Sequence, residues 1–395
     1  MKPSRRVIGS EHVQDAVRRG RRMLEVMPGD IVTAQARESA ERLAIALVDG
    51  PVEKPPEVRS DGTTAVRRVL YRRNPKWMAP KPRVNLSPQR LSRLAVVGAG
   101  GVGSNIAHLA ANAGVVAEIA LIDITPGLAE SVALDLNHAS GITRSRSHAS
   151  GGTDLTLVRD AQVVVVTAGR PRTPGMSRAD LLEINRRVIR TIAEAIRTNA
   201  PKAIVIVITN PLDEMTTEML RASGFSRNQV LGMAGTLDSS RFRRALAESA
   251  GVCVTDVEAI TLGSHGDEMV PIVSRARIRS RPLTDFLSED AIQDCVQDAV
   301  SGGGQVVALR KTGSAIFAPA HAVIEVIDHI RGLRAGTVPV SVMLDGEYGN
   351  EGVVLGVPCH LGMQGLVQVE ELPLTDDELV QLQKAADAMR SRLGA

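Results

Sequence analysis

Hydrophobic residues change their pattern near residue 91, and from there on short apolar runs alternate with amphipathic stretches. Continuous runs such as Val163–Val166 are typical of strands that are buried on both faces, as in a parallel sheet. The pattern predicts strands at 94–97, 118–123, 162–167, 203–209 and 229–231, and helices at 102–113, 128–137, 178–199 and 212–222. This alternation predicts an α/β fold with a doubly wound parallel sheet over residues 91–236.

After residue 236 the pattern is more mixed. Shorter alternating strands are predicted at 338–344 and 352–357, and a last helix at 376–392. Thr375 and Glu378 have the spacing of a capping box, which marks the start of that helix. Residues 237–395 are therefore predicted to form an α+β substrate domain.

Residues 1–90 differ from the rest in pattern and in charge. Helices are predicted at 11–25 and from Thr33 onward, where Ala36, Ala40, Leu43, Ala44 and Leu47 share one helical stripe. Prolines interrupt residues 51–88, which predicts an extended linker. The first ninety residues hold 19 Lys/Arg against 10 Asp/Glu, whereas the remainder holds 28 against 34. This asymmetry predicts a separate basic N-terminal extension.

The extension has several possible roles. A basic segment can bind RNA, a membrane surface or an acidic scaffold protein, or it can be a solvated extension or an oligomer arm. Nucleic acid is not expected, because Tyr71 and Trp77 are the only aromatic residues available for stacking. Residues 29–37 resemble, at a low level, short segments that dock enzymes onto larger assemblies such as bacterial microcompartments. The partner stays open.

Composition limits the location and the chemistry. Among the 395 residues no apolar run reaches the ~18 that a membrane span needs, and the first residues lack the pattern of a secretory signal. Cys253, Cys295 and Cys359 lie far apart and form no C-x-x-C, which fits a reducing cytoplasm. No Cys, His or Asp cluster has metal-ligand spacing, so no metal is expected.

A glycine-rich turn between a predicted strand and a predicted helix indicates a dinucleotide site of the Rossmann type. The turn reads Gly98-Ala99-Gly100-Gly101-Val102-Gly103. Its glycines allow a tight turn and close approach to a pyrophosphate, and the following helix offers free N–H groups. Asp123 ends the next strand, where a carboxylate accepts hydrogen bonds from ribose hydroxyls and repels a 2′-phosphate. NAD is therefore favoured over NADP.

From about residue 93 to residue 393 the chain resembles the lactate/malate dehydrogenase family, and within it the lactate-dehydrogenase-like malate dehydrogenases. The matching stretches are Ala133-Leu-Asp-Leu-Asn-His-Ala139, Thr167-Ala-Gly169, Pro171-Arg-Thr-Pro-Gly-Met-Ser-Arg178, Gly235-Thr-Leu-Asp-Ser-Ser-Arg-Phe242, Gly263-Ser-His-Gly-Asp267 and Pro339-Val-Ser-Val-Met-Leu-Asp-Gly-Glu-Tyr-Gly349. The resemblance implies reversible hydride transfer between (S)-malate and oxaloacetate with NAD. It also implies a homo-oligomer, either a dimer or a tetramer.

The resemblance implies that three arginines bind the dicarboxylate. Arg172 would hold the distal carboxylate, Arg178 would polarise the reacting carbonyl, and Arg241 would clamp the C1 carboxylate. Arg172 would also set the specificity, because an unpaired buried guanidinium disfavours pyruvate. Ser314 is expected to hydrogen-bond the second carboxylate, and the small Ala315 to leave room for it.

The proton step is assigned to one histidine. By resemblance, His265 is the general acid and base, and Asp238 orients its ring and favours the charged form. Asn210 would contact both the substrate and the nicotinamide ribose. The other residues expected to bind the cofactor, besides the glycine turn and Asp123, are Thr167, Ala168, Gly169, Asn185, Ile208 and Thr209.

Three alternatives stay open at this point. The chain could be another 2-hydroxy-acid dehydrogenase of the lactate type, which Arg172 argues against. It could be an NAD-dependent family-four glycosidase, which needs a metal-binding cysteine–histidine arrangement that the sequence lacks. It could also be a non-enzymatic scaffold, which the intact Asp238 and His265 disfavour.

Overall fold

The computed structural model describes residues 7–18, 23–27, 30–43, 45–49, 88–170, 178–311 and 313–394. The chain divides into two compact units, Met1–Val69 and Leu70–Ala395. Most of the predicted proline-rich linker lies outside the described residues.

The first unit contains two strand–helix–strand segments. They consist of β1 (Val7–Ile8), α1 (Ser10–Arg18) and β2 (Met23–Val26), and of β3 (Ile31–Val32), α2 (Ala34–Arg42) and β4 (Ala46–Asp49). β1 pairs in parallel with β3, and β2 with β4. The small core is formed by Ile8, Val13, Ala36, Ala40 and Ile45.

The two helices of this unit lie where the sequence predicts them, but their predicted extents are wrong. Met23 lies in β2 and Leu47 in β4, so neither belongs to the helix assigned to it. Apolar runs of about four residues fit a strand as well as a helix turn, and periodicity alone does not separate the two. Thr33 caps α2, its hydroxyl accepting the Ala36 N–H at 3.1 Å.

The second unit is built on one mixed sheet, which has eleven strands among the described residues. Its parallel strands are β5 (Leu91–Val97), β6 (Val116–Ile122), β7 (His148–Gly152), β8 (Val163–Val166), β9 (Ile204–Val207) and β10 (Val230–Gly232). They lie side by side in the order β7-β6-β5-β8-β9-β10. This is the predicted doubly wound sheet, with β7 as a strand that the sequence pattern did not predict.

Helices cover both faces of the parallel strands. They are α3 (Gly101–Asn112), α4 (Leu128–Thr143), α5 (Arg178–Asn199) and α6 (Leu212–Ser223). In β5, Leu94 and Val96 belong to one apolar cluster with Ile106 of α3. Ala95 belongs to a second cluster with Ile189 of α5. The continuous apolar runs of these strands therefore reflect burial on both faces, as expected.

The sheet continues into the C-terminal half without a break. β10 pairs antiparallel with β16 (Val338–Asp345), at Gly232 and Ser341. β16 pairs with β17 (Glu351–Gly362), which also pairs with β12 (Thr261–Gly263). The remaining strands of this sheet are β13 (Met269–Pro271) and β18 (Gly365–Val369). A separate three-stranded sheet consists of β11 (Val257–Glu258), β14 (Arg277–Ile278) and β15 (Arg281–Pro282).

Four helices complete this half: α7 (Gly235–Ala250), α8 (Glu289–Arg310), α9 (Phe317–Ile330) and α10 (Asp376–Leu393). The predicted capping box at the start of α10 is confirmed. The Thr375 hydroxyl accepts the Glu378 N–H at 3.2 Å, and the Glu378 carboxylate accepts the Thr375 N–H at 2.9 Å. In the described part of the chain, no helix combines the length and apolar character that a membrane crossing requires.

Candidate active site

The glycine turn joins β5 to the first turn of α3. Gly98 has φ +103°, a left-handed conformation that favours glycine. A Cβ on Gly103 would overlap the carbonyl oxygen of Gly98, so that only glycine lets α3 start this close to β5. The space at Gly100 is open, with no atom within 4 Å of a built Cβ. The turn thus presents bare backbone and a helix N-terminus, which fits a pyrophosphate.

Asp123 follows β6 and supports this turn. Its Oδ2 accepts the Ala99 N–H at 2.8 Å, and its Oδ1 accepts the Thr125 N–H at 2.9 Å. The carboxylate is therefore fixed at the carboxyl edge of the sheet beside the glycines. A carboxylate in this position fits the ribose of NAD and disfavours the extra phosphate of NADP.

Side chains at the ends of β8 and β9 tie neighbouring backbone segments together. The Thr167 hydroxyl donates to the Gly98 carbonyl at 2.9 Å, and the Thr209 hydroxyl donates to the Ala168 carbonyl at 2.6 Å. Asn185 of α5 is fully buried. Its amide accepts the Arg170 N–H and donates to the Asn210 carbonyl at 2.7 Å. Asn185 therefore holds two strand-end segments in place, in addition to lining the cavity.

Asp238, Arg241 and His265 form a hydrogen-bonded group. Asp238 lies in the first turn of α7 and is 2 % exposed. Its Oδ2 lies 2.9 Å from His265 Nδ1, and its Oδ1 accepts Arg241 Nη1 at 3.1 Å. Because a carboxylate only accepts, the proton of the neutral ring is on Nδ1 and Nε2 stays available to a substrate.

The electrostatics of this group favour the charged imidazole. Burial lowers the pKa of His265, but the Asp238 carboxylate raises it through both its charge and its hydrogen bond. Asp213 also raises the pKa of His265, and Arg241 lowers it. The net result is a pKa above the ordinary histidine value, as a general acid that works near neutrality requires.

One cavity of about 1180 Å³ connects the glycine turn to this group. It is lined by residues from both halves of the second unit. The predicted site residues among them are Gly98, Gly100, Gly101, Val102, Asp123, Thr167, Ala168, Gly169, Asn185, Ile208, Thr209, Asn210, Arg241, His265 and Ser314, with Ala315. Three other predicted residues, Ala99, Gly103 and Asp238, lie behind this lining and support it.

The structure describes less of the two other arginines that the sequence predicts to bind the substrate. Arg172 lies outside the described residues. Arg178 begins α5, and nothing further is described of its side chain. Within the described residues, no group of three or more His, Cys, Asp and Glu side chains could hold a metal ion.

The sequence pattern did not single out Asp213, which supports the histidine loop. Its Oδ2 accepts the Ser264 hydroxyl and the His265 N–H, both at 2.7 Å. Asp213 is 1 % exposed and lies in the first turn of α6. The only signal in the sequence is a carboxylate three residues after Asn210, which is also typical of a helix start.

Family models of known proteins match most of the chain. The lactate/malate dehydrogenase NAD binding domain matches residues 92–232, and the lactate/malate dehydrogenase alpha/beta C-terminal domain matches residues 235–394. Malate dehydrogenase 1 of Anaeromyxobacter dehalogenans is 42% identical over 300 residues, which are 75% of this chain and 96% of that protein. The malate dehydrogenase of Trichormus variabilis is 42% identical over 304 residues, covering 77% of this chain and 94% of the relative.

Solved structures give the same grouping. The malate dehydrogenase of Cryptosporidium parvum has a TM-score of 0.74 at 35% identity, over 78% of this chain and 98% of its own. The lactate dehydrogenase of the same organism, complexed with lactic acid and NAD, has a TM-score of 0.73 at 34% identity, over 77% and 97% of the two chains. Both activities therefore occur among proteins of this fold and similarity.

Proposed function

Because the chain belongs to the lactate/malate dehydrogenase family, we propose that it is an NAD-dependent malate dehydrogenase. The observation that carries the proposal is the common cavity, which is lined by the glycine turn and by His265 and Arg241. Both of these side chains are hydrogen-bonded to Asp238. Relatives at 42% identity that carry the malate dehydrogenase name support it.

The glycine turn and Asp123 suit NAD, and this fit rests on the open backbone at Gly100 and the fixed carboxylate. When bound, NAD supplies the hydride acceptor or donor. Gly98 to Gly103 would hold the pyrophosphate, and Asp123 the adenine ribose. Residues at the ends of β8 and β9, among them Thr167 and Asn210, would border the nicotinamide end.

In this proposal His265 moves the proton. Reduction of a ketone leaves an alkoxide oxygen, and the protonated ring donates to it from Nε2 while Nδ1 stays on Asp238. In the reverse direction the neutral ring accepts the hydroxyl proton. Asp238 fixes the ring orientation and offsets the burial cost of the imidazolium.

We assign the C1 carboxylate to Arg241, beside the proposed proton donor. Its guanidinium is held by Asp238 at 3.1 Å and lines the cavity. We assign the distal carboxylate to Arg172 and the polarisation of the carbonyl to Arg178, with Asn210 and Ser314 as further contacts. These roles rest on the positions of the residues in the family motifs.

A lactate-type dehydrogenase is the second candidate, because a lactate dehydrogenase is similar in structure at 34% identity. The deciding test is NADH oxidation with oxaloacetate and with pyruvate, and with NADPH in parallel. We expect oxaloacetate to be preferred by at least about a hundredfold, because pyruvate leaves Arg172 unpaired. Comparable kcat/KM values for the two ketoacids would reject the malate assignment.

A matched pair of variants makes the test specific. Arg172→Gln should lower kcat/KM for oxaloacetate by about a hundredfold or more and leave that for pyruvate nearly unchanged. Arg187→Gln is the control, because this arginine is 77% exposed on α5 and pairs only with Glu183 in the described contacts. An equal loss in both variants would contradict the role of Arg172.

We further propose three segments with distinct roles: residues 1–90 as a basic extension and linker, 91–236 as the dinucleotide-binding domain, and 237–395 as the substrate domain. A cytoplasmic homo-oligomer, either dimer or tetramer, is part of the same proposal, with recruitment through the extension as an added function. Since the family models begin at residue 92, removing residues 1–88 should change kcat by less than about twofold if the extension only recruits. A large loss of turnover in soluble truncated protein would contradict this division.

A further inference from the structure

A network of charged and polar groups contacts the histidine loop, and none of the four members named below lines the cavity. Its centre is Arg392 in the last turn of α10, 29% exposed. The Arg392 guanidinium donates to Ser264 Oγ at 3.0 Å, to Glu268 Oε1 at 2.8 Å and to Glu214 Oε1 at 2.7 Å. All three nitrogens of one side chain are thus engaged by different partners.

Two of these three partners flank the histidine in the sequence. Ser264 precedes His265 directly, and Glu268 follows it by three residues. Arg392 therefore contacts the loop on both sides of His265. Glu214 lies in the first turn of α6 and does not belong to the loop, so the arginine also connects the loop to that helix.

The start of α6 supplies a second anchor. Asp213 Oδ2 accepts both the Ser264 hydroxyl and the His265 N–H at 2.7 Å. Ser264 is 1 % exposed, and its oxygen both donates to Asp213 and accepts from Arg392. The hydroxyl therefore couples the two anchors, and loss of the arginine removes one end of a connected chain of hydrogen bonds.

We propose that Arg392 is a positioning residue for His265, which makes the C-terminal helix part of the proton-transfer machinery. It acts through Ser264 and Glu268 and does not touch the substrate. The inference rests on the proposed role of His265. Proton transfer depends on placement within a fraction of an ångström, so a looser loop lowers turnover without removing any reacting group.

The test compares Arg392→Met with Arg390→Met. Arg390 lies in the same helix, is 31% exposed and bonds to Asp387 and Asn350, away from the loop. For Arg392→Met we expect kcat for oxaloacetate to fall about tenfold to a hundredfold, with KM and the NADH dissociation constant changed less than about threefold. Arg390→Met should retain kcat within about twofold, at a similar melting temperature.

A second readout follows the loop rather than the turnover. Diethyl pyrocarbonate modifies neutral histidine, and peptide mapping reports its rate at His265 as a function of pH. The charged groups that face this ring are Asp238 and Arg241 on α7 and Asp213 on α6. If the loop moves away from the two carboxylates, modification should begin at lower pH in Arg392→Met and not in Arg390→Met.

The outcomes are distinguishable. If the parent chain reduces no oxaloacetate, the proposed function fails, while the modification assay still reports on the loop. If both variants match the parent in kcat and in the modification profile, the positioning role is overturned. Should Arg392→Met not fold, Glu268→Gln replaces it, with a kcat loss of about threefold or more expected. Parent-like kcat in that variant would equally overturn the proposal.

Discussion

Asp238→Asn tests the shared carboxylate that links His265, the proposed proton donor, to Arg241, the proposed substrate clamp. The replacement keeps the shape but leaves only one acceptor oxygen. If that oxygen faces His265 Nδ1, the new amide N–H₂ faces the Arg241 guanidinium, and donor meets donor. In the other orientation the N–H₂ faces Nδ1, which must then accept, so the neutral ring carries its proton on Nε2 and the charged ring has no acceptor. The variant therefore cannot accept from both Arg241 and a protonated Nδ1.

The size of the effect follows from those bonds. A hydrogen bond to a charged partner contributes about 1.5–3 kcal/mol, and its loss leaves a buried group unsatisfied. Asp238 is 2 % exposed, so water does not replace the missing partner easily. Because about 1.4 kcal/mol corresponds to a factor of ten, we expect kcat/KM for oxaloacetate to fall about tenfold to a hundredfold.

The pH dependence makes the prediction specific. In the proposed mechanism reduction needs protonated His265, so its rate should be constant at low pH and fall as pH rises through the raised pKa of this residue. Without the Asp238 charge, the effect of burial is offset less and lowers the pKa of His265. The fall in the rate of reduction therefore begins at lower pH. Malate oxidation needs the neutral ring, so its loss should be smaller at pH values below the parent's His265 pKa, where the parent ring is charged and the variant ring is already neutral.

The assay is NADH absorbance at saturating coenzyme over a pH series, in both directions. Asp285→Asn serves as the control, because Asp285 pairs with Arg281 on an exposed surface. A uniform loss of rate with an unchanged pH profile would refute the reasoning. It would show that Asp238 supports the fold without acting on the charge of the ring.

Three further predictions concern the cofactor turn and stability. Gly103→Ala should weaken NADH binding by about tenfold or more in titrations of coenzyme fluorescence, because its Cβ overlaps the Gly98 carbonyl; unchanged affinity would contradict the tight turn. Asp123→Asn should raise the NADPH to NADH ratio of kcat/KM by about tenfold, since the repelling charge is removed; a constant ratio in steady-state assays would argue against its role. Burial raises the pKa of Glu371 to about 8, so the folded state keeps a proton that the unfolded chain loses above about pH 4.5. Stability is thus lost as pH rises from about 4.5 to about 8. In urea unfolding, the free energy of unfolding of Glu371→Gln should exceed that of the parent by about 2 kcal/mol at about pH 8.5 and by little at about pH 5. An equal gain at both pH values would exclude this cause.

Much of the fold could be predicted because its signals are local. The run Val163–Val166 by itself indicates a strand. The glycine turn at 98–103 indicates the end of one strand and the start of a helix within a few residues. β7, His148–Gly152, escaped prediction because its His, Ser and Gly residues have little strand preference. Its extended form depends on pairing with β6, which no local pattern contains.

The site shows the same division. His265 and Asp238 stand out because a histidine within a glycine-flanked loop and a carboxylate at a helix start have recognisable chemistry. Ser264 and Arg392 do not, since their contact joins residues 128 positions apart. Nothing near Arg392 in the chain distinguishes it from the other arginine in the last turn of the same helix. Only the tertiary fold brings it to the loop.

The continuous sheet has a mechanical consequence. Backbone pairing at Gly232 and Ser341 joins β10, the last parallel strand, to β16. The same sheet continues to β12, which leads into the His265 loop. Because one sheet joins the two halves, we expect them to move little against each other, so that the fold sets the distance between the coenzyme and the proposed proton donor. Evolution could then retune ketoacid preference along the rim of the cleft while leaving that spacing untouched.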